Sequence, residues 1–70
     1  MPLKNNVRAL RKQQSLRQED LAEALGVSRQ TVIAIENGRY SPSLELALKM
    51  ARYFKTSVES VFSLDEGGDF

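Results

Sequence analysis

Cysteine, histidine and tryptophan are all missing from this chain of 70 residues. Without cysteine there is no disulfide and no thiolate metal site. Without histidine there is neither the usual zinc ligand nor the usual general base at neutral pH. No serine is placed beside a base, so no nucleophile is set up for catalysis. The acidic pair Glu19-Asp20 falls where a helix begins, and there negative charge complements the helix dipole. The residues therefore support neither an enzyme nor a bound metal or cofactor. Long apolar runs are missing too. The longest, Val32-Ile33-Ala34-Ile35, is far too short to span a bilayer, and the N-terminus carries no signal-peptide pattern. A cytoplasmic protein is expected.

Charge of one sign is missing only overall. The net charge is +1, but all ten Lys and Arg lie in residues 1–55 against five acids, which makes that part +5. The last fifteen residues hold four acids and no base. A basic body with an acidic end suggests a polyanion as partner for the body.

Strands find no support, since no window alternates cleanly with β-branched residues. Five helices are expected in an all-α domain. The first covers about Leu3 to Gln14, with Leu3, Val7 and Leu10 on one face. The second covers about Gln18 to Leu25, with Gly26 placed to end it in the left-handed conformation. Ser28 then offers a cap for a third helix running to about Asn37 and closed by Gly38. Ser41 or Ser43 caps a fourth, about Leu44 to Phe54, whose inward stripe is read as Leu44, Ala47, Leu48, Ala51 and Phe54. Ser57 caps a short fifth, Val58 to Phe62. The expected core is Leu10, Leu21, Ala22, Leu25, Val27, Val32, Ile35, Leu44, Leu48, Ala51 and Phe54. Residues 1–64 form the domain, and 65–70 an acidic, frayed tail. Seventy residues bury only about 60% of the surface of the unfolded chain, so stability is marginal.

The informative stretch is Gln18 to Gly38: two short helical patterns joined by a turn at Gly26. Ala22 leaves room for two helices to cross closely. Arg29, Gln30 and Thr31, at the exposed start of the second pattern, suit hydrogen bonds to base edges or phosphates. This is a helix-turn-helix pattern.

The chain resembles the Cro/lambda-repressor-like (xenobiotic-response-element type) helix-turn-helix domains of prokaryotic and phage regulators. The matching pieces are Leu10-Arg11, Gln18-Glu-Asp-Leu-Ala22, Leu25-Gly-Val-Ser28, Ile35-Glu-Asn-Gly38, Pro42-Ser-Leu-Glu45 and Ala51-Arg-Tyr-Phe54. They cover about residues 3–63. The resemblance implies a sequence-specific DNA-binding transcriptional regulator, a repressor working as a homodimer on a near-palindromic operator. The third helix would lie in the major groove with Arg29, Gln30, Ile33 and Ala34 at base edges. Arg can grip guanine, Gln adenine, and Ile33 a thymine methyl. Gln18, Ser28, Thr31, Asn37, Arg39 and Tyr40 would meet phosphates. So would Arg17, which stands where the family often has a capping Ser or Thr. The resemblance also implies an ion pair between Arg11 and Glu36 that braces the third helix against the first. Lys55 stands where the family commonly has Gly, at a strain of about 1 kcal/mol if left-handed.

Val61, Phe62 and Leu64 supply more apolar surface than a short fifth helix can bury, and are the expected dimer contacts. Two other partners compete. An antitoxin would have a toxin protein as its main partner, and a degenerate helix-turn-helix would bind only protein. The polar face of Arg29, Gln30 and Thr31 speaks against the second.

Overall fold

The computed structural model describes residues 3–64; the acidic segment 65–70 lies outside them. In chain order it has strand β1 (Leu3–Asn5), helices α1 (Val7–Gln13), α2 (Gln18–Leu25), α3 (Arg29–Glu36), α4 (Leu44–Tyr53) and α5 (Val58–Val61), and strand β2 (Phe62–Leu64). The five helices are present, but the all-α expectation needs correcting. β1 and β2 pair antiparallel, Leu3 opposite Leu64 and Asn5 opposite Phe62, and tie the two ends of the domain together.

The reason lies in Asn5 and Asn6. Leu3, Val7 and Leu10 keep helical spacing, yet the Asn5 Oδ1 accepts from the Val7 N–H and its Nδ2 donates to the Ile35 carbonyl. The Asn6 N–H donates to the Val61 carbonyl. The Asn5 side chain and the Asn6 backbone thus find partners outside a helix, as does the Asn6 Nδ2 with the Ser60 carbonyl, and α1 starts only at Val7.

The core is built from Val7, Leu21, Ala22, Leu25, Val32, Ile35, Leu46, Ala47, Met50, Ala51, Phe54, Val61 and Phe62, with Leu10, Val27 and Val58 half-buried against it. Ala22 is buried on α2, a position where overpacking would separate the crossing helices at about 1–3 kcal/mol. Two expectations fail. Leu44 and Leu48 are not core residues; they are 73% and 53% exposed. The segment Leu44-Glu-Leu-Ala-Leu-Lys-Met-Ala51 carries two overlapping apolar stripes, and α4 buries the one containing Leu46 and Met50. Conversely, Val61 and Phe62 are buried and cannot serve as dimer contacts. Of the three proposed, Leu64 alone is exposed. The short fifth helix disposes of its apolar residues by turning into β2, which folds Phe62 under the domain.

Serine caps begin three helices: the Oγ atoms of Ser28, Ser43 and Ser57 accept from the N–H of Thr31, Leu46 and Ser60. The first four helices share one ending. In each, a residue in the left-handed region is followed by an N–H that reaches back five residues: Leu16 to Arg11, Val27 to Ala22, Arg39 to Ala34 and Thr56 to Ala51. This is the Schellman arrangement. Its left-handed positions are Ser15 (φ 57°), Gly26 (75°), Gly38 (74°) and Lys55 (57°).

A side chain in this conformation costs about 1 kcal/mol relative to glycine. Ser15→Gly and Lys55→Gly are therefore expected to raise the unfolding free energy by up to about 1 kcal/mol each, and Gly26→Ala and Gly38→Ala to lower it by a similar amount. A Cβ at either glycine meets no atom within 4 Å, so the loss reflects backbone strain alone. Urea unfolding of the four variants measures each term.

Candidate nucleic-acid interface

The turn from Gly26 to Ser28 sets α3 across α2. Ser28, the cap of α3, has extended backbone, and its Oγ also shares a hydrogen bond of 2.9 Å with the Thr31 Oγ1. The buried side of α3 carries Val32 and Ile35. Arg29 and Gln30 are therefore exposed at its start, Ile33 and Ala34 half-exposed one turn on, and Asn37, Arg39 and Tyr40 exposed just past its end. Arg29 lies beside the Glu19 carboxylate of α2 at 3.8 Å. This contact between two exposed, screened groups contributes little to stability and leaves the guanidinium accessible.

Arg17 occupies the position before α2. A guanidinium cannot accept the hydrogen bonds that a Ser or Thr would accept there. The cap comes from the other side. The Asp20 Oδ2 accepts from the Arg17 backbone N–H at 2.9 Å, while both Asp20 oxygens accept from the Arg17 guanidinium at 3.1 Å. These bonds, the side-chain one foremost, hold the Asp20 carboxyl below its ordinary range.

Behind α3 lies the one buried carboxylate of the described residues. Glu36 ends the helix, and its side chain has no exposed surface. Two helices supply its partners. From α1, the Arg11 Nε donates to Oε2 at 2.6 Å and Nη2 to Oε1 at 3.2 Å. Arg11 also donates to the Leu16 carbonyl, in the loop before α2, at 2.9 Å. Also from α1, the Arg8 Nε reaches Oε1 at 3.4 Å. From α2, the Gln18 Nε2 donates to Oε1 at 3.2 Å. Burial pushes this carboxyl up, but the bonds from Arg11, Gln18 and Arg8 outweigh it and leave Glu36 below its ordinary range. The guanidinium of Arg11 is raised in turn, chiefly by its bond to Glu36.

Sequence reasoning passed over Arg8. Its Nη2 donates to the Asn37 Oδ1 at 2.9 Å, which turns the amide nitrogen of Asn37 away from α1. The signal was available: Arg8 and Arg11, three residues apart, share a helix face. Gln18, expected only at a phosphate, has its amide committed to Glu36. Among the described residues no buried side-chain nitrogen or oxygen lacks a partner.

Arg11→Met is expected to cost about 3 kcal/mol, the low end for breaking a buried pair, because Arg8 and Gln18 remain with the carboxylate. The double variant Arg11→Met/Glu36→Met should lose less than the sum of the single losses, and a double-mutant cycle in urea measures the coupling. The pH dependence has a definite sign. A carboxyl depressed in the folded state stabilises above the ordinary range of about 4 and loses that contribution as pH falls through its folded value. Glu36→Gln should therefore flatten the acid limb of a plot of stability against pH.

Comparisons with known proteins agree with this geometry. A helix-turn-helix family model matches residues 7–61. A helix-turn-helix-type transcriptional regulator of Methanocaldococcus jannaschii is 50% identical over 64 residues, 91% of this chain and 97% of that protein. The transcriptional repressor RstR of the cryptic phage CTXphi of Vibrio cholerae is 34% identical over 62 residues, 89% of this chain and 56% of that protein. Among solved structures, the restriction-modification controller protein C.AhdI from Aeromonas hydrophila superposes with a TM-score of 0.72 at 33% identity, covering 79% of this chain and 83% of that one. The chain belongs to the helix-turn-helix family of Cro/lambda-repressor-like type, whose members are DNA-binding transcriptional regulators and not enzymes.

Proposed function

We propose that this protein is a sequence-specific transcriptional repressor that binds a near-palindromic operator as a homodimer. The observation that carries this reading is the division of α3 into two faces. Val32, Ile35 and Glu36 are held from behind, while Arg29, Gln30, Ile33 and Ala34 are left at the surface. A helix fixed on one side and open on the other suits insertion into a major groove. Arg29 and Gln30 then read bases by paired hydrogen bonds, and Ile33 and Ala34 supply apolar contact to thymine methyl groups.

The phosphate set surrounds that face. Gln18 and Arg17 stand at the start of α2, Ser28 and Thr31 at the start of α3, and Asn37, Arg39 and Tyr40 past its end. Bound on two sides of α3, they would fix the register of the helix without reading sequence. The Arg8 bond prepares the Asn37 amide nitrogen to donate to a phosphate oxygen. Repression follows the pattern of RstR, named a transcriptional repressor. The relatives are named a transcriptional regulator and a transcriptional repressor, which favours this reading over an antitoxin.

Arg29→Ala and Gln30→Ala are each expected to cost about 1–3 kcal/mol on the cognate duplex and to relax discrimination at one base pair. Arg39→Ala should weaken all duplexes alike and lower the slope of log affinity against log salt by about one. Titrations on cognate and scrambled duplexes at several salt concentrations separate the two classes. An equal loss on both duplexes for Arg29→Ala would remove it from the bases.

A further inference from the structure

Most of the candidate interface is made of donors, but Glu19 brings a carboxylate into it. Glu19 lies in the first turn of α2 and is exposed. Its Oε2 is 3.8 Å from the Arg17 Nη1, and its Oε1 is 3.8 Å from the Arg29 Nε. The side chain thus bridges the start of α2 and the start of α3. It stands between two guanidiniums given to DNA above, Arg17 to a phosphate and Arg29 to a base.

The start of α2 does not need this carboxylate. Asp20 accepts from the Arg17 backbone N–H and takes the Arg17 guanidinium with both oxygens. As an acid in the same turn, Asp20 also complements the helix dipole. What Glu19 adds is a direction. A guanidinium can offer the paired acceptors of a guanine either its Nε side or the end formed by its two Nη atoms. With Glu19 beside Nε, the end is left for the base. At 3.8 Å the pair is loose in water. Against a duplex, where water is displaced, the same two charges attract more strongly.

The charge of Glu19 acts as well. Binding that ignores sequence comes from positive charge meeting phosphates, and a carboxylate in the interface subtracts from it. Over a guanine, Arg29 recovers the loss through two hydrogen bonds; over another base it does not. Specificity is a difference of affinities, and a penalty on the wrong partner raises it.

We propose that Glu19 is a positioning residue of the DNA-binding face, holding the Arg29 guanidinium end-on for a guanine and weakening attachment to duplexes that lack it; this rests on the reading of Arg29 as a base contact.

The probes are a duplex selected by the wild type from a randomised pool, its variants at the base pair where Arg29→Ala loses discrimination, its variants at a second contacted base pair, and a scrambled duplex. Fluorescence anisotropy gives each Kd for wild type, Glu19→Gln, Arg29→Ala and the double variant, with circular dichroism confirming the fold. Glu19→Gln is expected to tighten the scrambled duplex roughly two- to fivefold, the scale of a contact between exposed charges. Its discrimination at the Arg29 base pair should fall about fivefold, the low end of what a bidentate contact is worth, while discrimination at the second base pair holds. In the Arg29→Ala background, Glu19→Gln should still tighten the scrambled duplex but leave discrimination as it was. Unchanged discrimination at the Arg29 base pair in Glu19→Gln overturns the proposal. So does an equal loss at both base pairs, the mark of a purely structural residue, or a scrambled duplex bound no tighter. If Arg29→Ala loses discrimination at no base pair, the base contact itself falls, and the role of Glu19 with it.

Discussion

The buried carboxylate of Glu36 is the point on which the geometry of the helix-turn-helix depends. It closes α3, where the negative end of the helix dipole disfavours an acid by about 0.3–1 kcal/mol. Local preference therefore opposes it. Tertiary structure overrides that preference with four hydrogen bonds from outside α3, two from Arg11 and one each from Arg8 and Gln18, while a further bond from Arg11 to the Leu16 carbonyl holds the guanidinium in place. Charge-assisted bonds are roughly twice as strong as neutral ones. Because the donors to Glu36 come from α1 and α2, one side chain fixes the angle of α3 relative to both of its neighbours. A hydrophobic contact is less directional and would leave that angle softer.

This arrangement was partly legible beforehand because its chemistry is sparse. In a chain without histidine, the possible partners for an inward acid are only Lys and Arg, and the Leu10-Arg11 and Glu36-Asn-Gly38 pieces carry the resemblance that names them. Gly26, Ser28 and Gly38 mark the ends of α2 and α3 by local rules alone. What stayed hidden had no local signature. A three-residue strand cannot show alternation, so β1 and β2 were absorbed into the neighbouring helices. Ser15 entered the left-handed region without the glycine that would have announced it.

The misread stripe of α4 is the more instructive case. Periodicity says that apolar residues three and four apart share a face, but not which of two such faces turns inward. Leu44-Leu48 and Leu46-Met50 satisfy the same rule. The choice is made by tertiary packing: Leu46 and Met50 join the core cluster with Phe54, Val61 and Phe62, and Leu44 and Leu48 are left outside. The same error displaced the expected interface. Val61 and Phe62 were expected at the surface and are buried, while Leu44 and Leu48 were expected in the core and are exposed.

The exposed stripe of α4 also shows how a domain this small keeps its two surfaces independent. Its core is shared by every helix, so a substitution there disturbs both surfaces together. The polar face of α3 and the leucine groove of α4 lie outside that core and share no residue. Each can change without cost to the bonds that hold Glu36 of α3 to α1 and α2. The exposed residues of α3 can therefore change without disturbing the ion-pair cluster that orients the helix. The physical condition is that α3 be oriented by α1 and α2, through Arg8, Arg11 and Gln18, and not by α4.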